Sequence, residues 1–221
     1  FPKEKVVFTG NPIRREVMAA SRASALAAFR FDPAKKTVLV SGGSQGAKTI
    51  NRAMIGVIAH YAAHPEVQIL HVTGRGAYED TLSRLCEAGV DLAAADNIAV
   101  RPYLYDMPQA LAAADLAVFR AGALGIAELT ARGVPAILVP YPYATDNHQE
   151  ENARAMAEAG AARMILDKEL TAERLLAEWT ALLRDEEGLR RMGAISRSLG
   201  RPQAAEEIAA LVLAMTEGRK A

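Results

Sequence analysis

Cysteine is almost missing: Cys86 is the only one in 221 residues. A single thiol cannot close an internal disulfide or build a cysteine-based zinc site, and it favours a reducing cytoplasm. Net charge is missing too, because 26 basic and 26 acidic residues cancel. That argues against a nucleic-acid partner or a polybasic membrane surface, a local patch aside. No apolar run approaches the length of a membrane span, and no stretch has the make-up of a signal peptide. Low-complexity segments, linkers and internal repeats are likewise absent. The opening FPKEKVVFTGNPIRREV has no initiator Met and reaches a strand-like run at once, so it reads as a chain cut at a domain boundary.

What is present is apolar bulk. About half the residues (51%) are hydrophobic, with alanine prominent, which predicts a soluble, helix-rich globule with a sizeable core. Short runs with strand composition fall at Val38–Val40, Gln68–Val72, Ile98–Val100, Leu116–Phe119 and Ala136–Val139, with Ala162–Ile165 as a sixth. Between them lie segments of helical period: Ala47–Ala63, Tyr78–Ala88, Met107–Ala113, Leu124–Arg132 and Gln149–Ala159. Alternation of this kind requires crossover connections. It predicts an α/β fold, a Rossmann-like parallel sheet with helices on both faces, and ligands outside the carboxyl ends of the strands. After Thr171 the pattern is helical, with Ile208, Leu211, Val212 and Met215 on one face of the last helix and Pro202 near its start.

The stretch VLVSGGSQGAKTINRAM (38–54) joins an apolar strand, a glycine turn and an amphipathic helix. A dinucleotide loop needs G-x-G-x-x-G. Here the glycines fall at 42, 43 and 46, and the second strand ends without a carboxylate for a ribose. A P-loop needs a second glycine where Ala47 stands, although Lys48 and Thr49 match. It also wants an Asp after another strand, whereas the strands considered end in VTG, FRAG and LVPY. A third reading asks only that the turn bring backbone N–H groups to a diphosphate, with Ser44 adding a hydroxyl. The plain alternative is a tight turn packed on a neighbour.

Two more loops fall at the same sheet edge. VFRAGALGIAE (118–128) opens a helix with small residues and carries Glu128 one turn in, a carboxylate able to accept both ribose hydroxyls. Taken alone, a solvated helix glutamate is the more ordinary description. VPYPYATDNHQEENA (139–153) offers Asp146 and Asn147 as caps, then His148 and Gln149 at a helix start. His148 has no partner carboxylate in view, whereas an amide at 149 can both donate to and accept from sugar hydroxyls.

Taken together and in order, FTGNPIR, VSGGSQGAKTIN, YLYDM, FRAGALGIAEL, GVPAILVPYPYATDNHQEENA and EAGAA resemble the C-terminal domain of the MurG family. These are bacterial N-acetylglucosaminyltransferases that convert lipid I to lipid II in peptidoglycan synthesis. The resemblance implies the C-terminal half of a GT-B glycosyltransferase that binds UDP-N-acetylglucosamine (UDP-GlcNAc) in an inverting reaction with neither cofactor nor metal. It places Arg14 at the interdomain junction within reach of the donor, Ser44 at the diphosphate and Leu104 at uracil through its backbone. Ala123, Leu124, Gly125, Ile126, Ala127 and Glu128 would wrap the nucleotide, with Glu128 on the ribose. Gln149 would contact GlcNAc.

The implied layout is a junction over 1–15, a nucleotide-sugar domain over 16–170, and a helical tail over 171–221 packed on it. The lipid I acceptor, the membrane contact at the inner face and the general base would belong to an N-terminal domain that this chain lacks. No catalytic residue is therefore expected here, and the chain alone should be inactive and soluble. Two positions depart from the family pattern: Ala121 stands where Ser is frequent, and Gly125 where Thr is frequent. The alternatives are another GT-B sugar-nucleotide enzyme, such as a glycolipid glycosyltransferase or a UDP-GlcNAc 2-epimerase, and a non-catalytic nucleotide-binding module.

Overall fold

The computed structural model describes residues 2 and 5–217. Six strands alternate with helices: β1 (Lys36–Ser41), β2 (Val67–Val72), β3 (Ile98–Arg101), β4 (Leu116–Phe119), β5 (Ala136–Leu138) and β6 (Ala162–Met164). All pair in parallel, in the order β3-β2-β1-β4-β5-β6. The order reverses between β1 and β4, where Ser41 lies beside Phe119 at the carboxyl ends. A ligand crevice opens at such a reversal, because the loops leaving the two strands diverge to opposite faces.

Alternation along each strand divides the core into two layers. Val38, Val40, Ile69, Leu116 and Val118 face α3 (Lys48–Ala63), α4 (Tyr78–Glu87) and α8 (Ala172–Arg184). Leu39, Leu70, Ala117 and Phe119 face the other side, with α1 (Arg15–Ala19), α2 (Arg22–Phe29), α5 (Met107–Ala113), α6 (Ala123–Arg132) and α7 (His148–Glu158). Fully buried Leu39 and Val40 illustrate why β1 has no polar face: it is covered twice. Helices α1 and α2 have no counterpart in the periodicity of the sequence. Both are short, α2 is alanine-rich, and Ser21 caps α2 by accepting a bond from the Ser24 amide.

The tail treats its helices unequally. Trp179 of α8 is wholly buried and stacks on Tyr61 of α3 at 5.6 Å. Ser196 of α9 (Glu186–Leu199) is buried and donates to the Val134 carbonyl. In α10 (Ala204–Glu217) only Ala204 is buried, whereas Leu211, Val212, Leu213 and Met215 of its apolar side stand exposed. Pro202 lies in the turn ahead of this helix rather than in its first turn. Among the described residues no helix is long and apolar enough to cross a membrane.

Candidate functional site

The turn between β1 and α3 owes its shape to its glycines. Gly46 adopts φ +76°, and a Cβ there would run into the Thr73 carbonyl at the end of β2. Gly43, at φ +88°, meets nothing within 4 Å. One glycine therefore packs the turn on its neighbour, while the other holds an open, left-handed backbone at its tip. The packing reading holds at Gly46, while Gly43 leaves the tip of the turn open. The packing is reinforced from below: buried Asn51 donates to the Thr73 carbonyl at 2.8 Å and accepts from the His71 ring at 3.1 Å. His71 is fully buried, and desolvation drives its pKa down to about 3, so the ring is neutral and the Asn51 contact leaves its Nδ1 without a partner.

Helix α3 starts without a side-chain cap, because its N-cap is Ala47. Its first-turn amides make no bond among the described residues, the earliest being Asn51 N–H to the Ala47 carbonyl. Unsatisfied amides at a helix start form a ready anion site, reinforced by the helix dipole. Ser44 is exposed beside them. Across the strand reversal, α6 repeats the arrangement with Gly122 as an N-cap that offers no side chain. Ala123 and Leu124 at its start are exposed, while Gly125, Ile126 and Ala127 are half-buried.

Glu128 is not a solvated helix residue. It is 7% exposed, and its Oε1 accepts from Arg14 Nη2 at 3.4 Å, across 114 residues of chain. Arg14 keeps about half its side chain in solvent (51%), so the pair presents a cation outward and a fixed carboxylate behind it. Gln149 lies over the N-cap of α6: its Nε2 is 4.0 Å from where a Gly122 Cβ would sit. Its Oε1 already accepts from the Tyr141 amide at 3.0 Å. The Nε2 is the free end and can donate to a ligand hydroxyl. Leu104 follows β3, half-buried against the second core layer, and its backbone bonds to no other described residue.

Other expectations change. Asn147 is the N-cap of α7, as expected by position, but neither it nor Asp146 makes a side-chain cap bond. Both adopt positive φ (+50° and +54°), and Asn147 donates to the Glu150 side chain in the first turn rather than accepting from a backbone amide. His148 is exposed, and its Nδ1 bonds the Thr145 carbonyl at 2.6 Å rather than a carboxylate. A carboxylate does reach this edge, from a place the strand endings did not reveal. Asp167, three residues past β6, accepts from the Thr49 hydroxyl at 2.6 Å and from Arg120. Arg120 sits inside the FRAG motif, and its role becomes visible only through these contacts. At the departures, Ala121 is fully buried, with its carbonyl accepting from Asn152. A Cβ on Gly125 would meet only ordinary contacts, at 3.6 Å from Phe119, so the site has room for a larger residue.

A cavity also opens away from this edge. About 860 Å³ opens at the amino ends of the strands, among Arg22, Asp115, Arg132, Pro135 and Arg197. Two of its arginines serve helix ends: Arg22 donates to the Ala113 carbonyl at 2.6 Å and Arg197 to the Arg132 carbonyl at 2.7 Å. Groups already bonded to helix C-termini are poor anion receptors, and the candidate site is the shallower carboxyl edge.

A parallel sheet of this order, with two uncapped helix starts at its reversal and an acidic residue fixed one turn inside the second, is the C-terminal domain fold of the GT-B glycosyltransferases. The sequence comparisons agree. The model of the glycosyltransferase family 28 C-terminal domain matches residues 37–208, and the chain belongs to that family. It is 47% identical to the UDP-N-acetylglucosamine--N-acetylmuramyl-(pentapeptide) pyrophosphoryl-undecaprenol N-acetylglucosamine transferase of Desulforamulus reducens, over 93% of this chain and 55% of that protein. The like-named Bacillus subtilis protein is 43% identical over 94% of this chain and 56% of its own length. The chain thus spans little more than half the length of these relatives. Among solved structures, MurG of Acinetobacter baumannii superposes with a TM-score of 0.72 at 27% identity, covering 96% of this chain and 58% of that one. A UDP-GlcNAc 2-epimerase of Neisseria meningitidis shares the fold (TM-score 0.68, 13% identity, 96% of this chain and 56% of that one).

Proposed function

We propose that this chain is the donor-binding half of an inverting N-acetylglucosaminyltransferase that moves GlcNAc from UDP-GlcNAc to lipid I, giving lipid II for peptidoglycan. The observation that carries the reading is the pairing of open α3 amides with the buried, Arg14-linked Glu128 across the strand reversal. Free amides suit a diphosphate, and a fixed carboxylate suits the two hydroxyls of a ribose. Nothing in that pairing selects the base or the sugar. Those come from Leu104, whose open backbone can pair with uracil, and from Gln149 Nε2, which can donate to a GlcNAc hydroxyl. The names of the relatives favour the same donor.

In this reading an acceptor hydroxyl attacks the anomeric carbon as UDP departs. The first-turn amides of α3 and α6 then stabilise the charge gathering on the leaving diphosphate, without reorganising and without a metal. The acceptor, the base and the contact with the inner membrane face belong to the remainder of the protein, and the site acts on the cytoplasmic side. UDP and UDP-GlcNAc should each raise the melting temperature by mass action, with CMP and GDP giving little shift. A folded chain whose melting temperature does not respond to millimolar UDP would contradict the proposal. UDP-glucose or UDP-galactose outperforming UDP-GlcNAc would point to a different enzyme of this fold.

A further inference from the structure

Four segments of the carboxyl edge meet at Arg120. Its Nη1 donates to Asp167 and to the carbonyls of Val139 and Pro140 at 3.2 and 3.1 Å, while its Nη2 donates to Thr49 Oγ1 at 3.0 Å. The Thr49 hydroxyl in turn donates a hydrogen bond to Asp167 Oδ1 at 2.6 Å, closing a ring of three side chains. Arg120 and Asp167 are only 12% and 13% exposed, so their attraction is weakly screened.

Each partner leads to a different part of the candidate site. Thr49 is in the first turn of α3, whose open amides face the diphosphate position. Pro140 precedes Tyr141, whose amide holds Gln149 Oε1, and whose ring lies 5.6 Å below the Arg120 guanidinium. The network also gives the Thr49 hydroxyl of the P-loop-like Lys48–Thr49 pair a different task. The hydroxyl that a P-loop would offer to magnesium is here committed to Asp167.

We infer that Arg120, Asp167 and Thr49 are positioning residues that set the α3 turn and the Gln149 loop at one fixed separation. Diphosphate and sugar are thereby held as a unit, while the nucleoside is left to other residues. This inference rests on the donor-site reading above. The three side chains touch no ligand in it; they act through the α3 amides and through Gln149.

The test is calorimetric titration of the chain with UMP, UDP and UDP-GlcNAc, comparing Asp167→Asn, Arg120→Lys, Thr49→Val and Thr49→Ser. Affinity gained from UMP to UDP measures the α3 turn, and affinity gained from UDP to UDP-GlcNAc measures the Gln149 loop. Asp167→Asn and Arg120→Lys should each cut both gains by roughly tenfold while UMP affinity stays within about twofold. Thr49→Val, which leaves the ion pair in place, should cut the diphosphate gain, and Thr49→Ser should restore it. Unchanged gains in the variants would overturn the inference, as would UMP affinity falling in parallel, the mark of general loosening. Wild-type chain that gains nothing from UMP to UDP-GlcNAc would instead overturn the donor-site reading, and this inference with it.

Discussion

The two ends of the parallel sheet handle their helix termini in opposite ways. At the amino edge the carbonyls that end α5 and α6 are taken up by Arg22 and Arg197, and Gly133 closes α6 in a left-handed turn whose N–H bonds the Thr130 carbonyl. At the carboxyl edge the N-caps of α3 and α6 are Ala47 and Gly122, which leave the opening amides unpaired. An unpaired helix start costs stability that one serine or aspartate would recover, about 1 kcal/mol in each case. Ser21, Thr171 and Asp185 do cap α2, α8 and α9, so this chain caps helices away from the crevice. Helices α1, α4, α5 and α7 also start without a side-chain cap, so a missing cap alone does not single out a site; at α3 and α6 it coincides with the strand reversal. The amino-edge cavity, by contrast, opens between finished helix ends.

That contrast can be broken most sharply by one substitution at each edge. Glu128→Ala removes the carboxylate assigned to the ribose. Hydrogen bonds to a charged group are worth about 1.5–3 kcal/mol, so UDP affinity should fall by roughly tenfold to a hundredfold in calorimetry. Arg197→Ala should cost about 1 kcal/mol of stability, a fall of a few degrees in melting temperature, with UDP affinity unchanged. The reverse assignment of effects would mean that the amino-edge cavity is the nucleotide site.

A second expectation concerns the polar pair beneath the turn. His71 has a folded pKa near 3, below its unfolded value near 6.5. The unfolded chain therefore binds the proton more tightly, and the stability contributed by the neutral ring is complete above about pH 7. It is lost as pH falls through 6.5 towards 3. Between pH 7.5 and pH 5 the loss should be about 2 kcal/mol, measured by urea denaturation. His71→Gln should flatten this acid limb; an unaltered slope would show that other groups produce it.

The smallest effect is a gain. Gly125→Thr introduces the residue that the family resemblance leads one to expect, at a position with room for its Cβ. A new hydroxyl bond to phosphate would tighten UDP binding by about 0.5–1.5 kcal/mol. Unchanged affinity would mean that the α6 amides already satisfy that oxygen.

Much of the sheet was legible because its strands are short apolar runs between helices with clear periods. The expected runs at Gln68–Val72 and Leu116–Phe119 coincide with β2 and β4 within a residue at either end. Helices α1 and α2 were not legible: α1 is only five residues long, and alanine around α2 leaves no apolar stripe to read. The site residues drawn from motifs fall at the carboxyl edge, but pairing was beyond the sequence. Arg14 meets Glu128 across 114 positions, and Arg120 meets Asp167 across 47. Such contacts depend on the lateral order of strands, which periodicity along the chain does not encode. The last helix is the converse case. Its apolar face was evident, while the exposure of Leu211, Val212 and Met215 was not.

The central claim is that the open helix starts at the strand reversal receive the diphosphate. Its most direct test is titration of the isotope-labelled chain with UDP, followed by amide NMR. The account predicts the largest shifts at residues 43–50 and 122–126, with smaller ones at Leu104, and little change around Arg132 and Arg197. Shifts concentrated at the amino-edge cavity, with residues 43–50 unmoved, would contradict it.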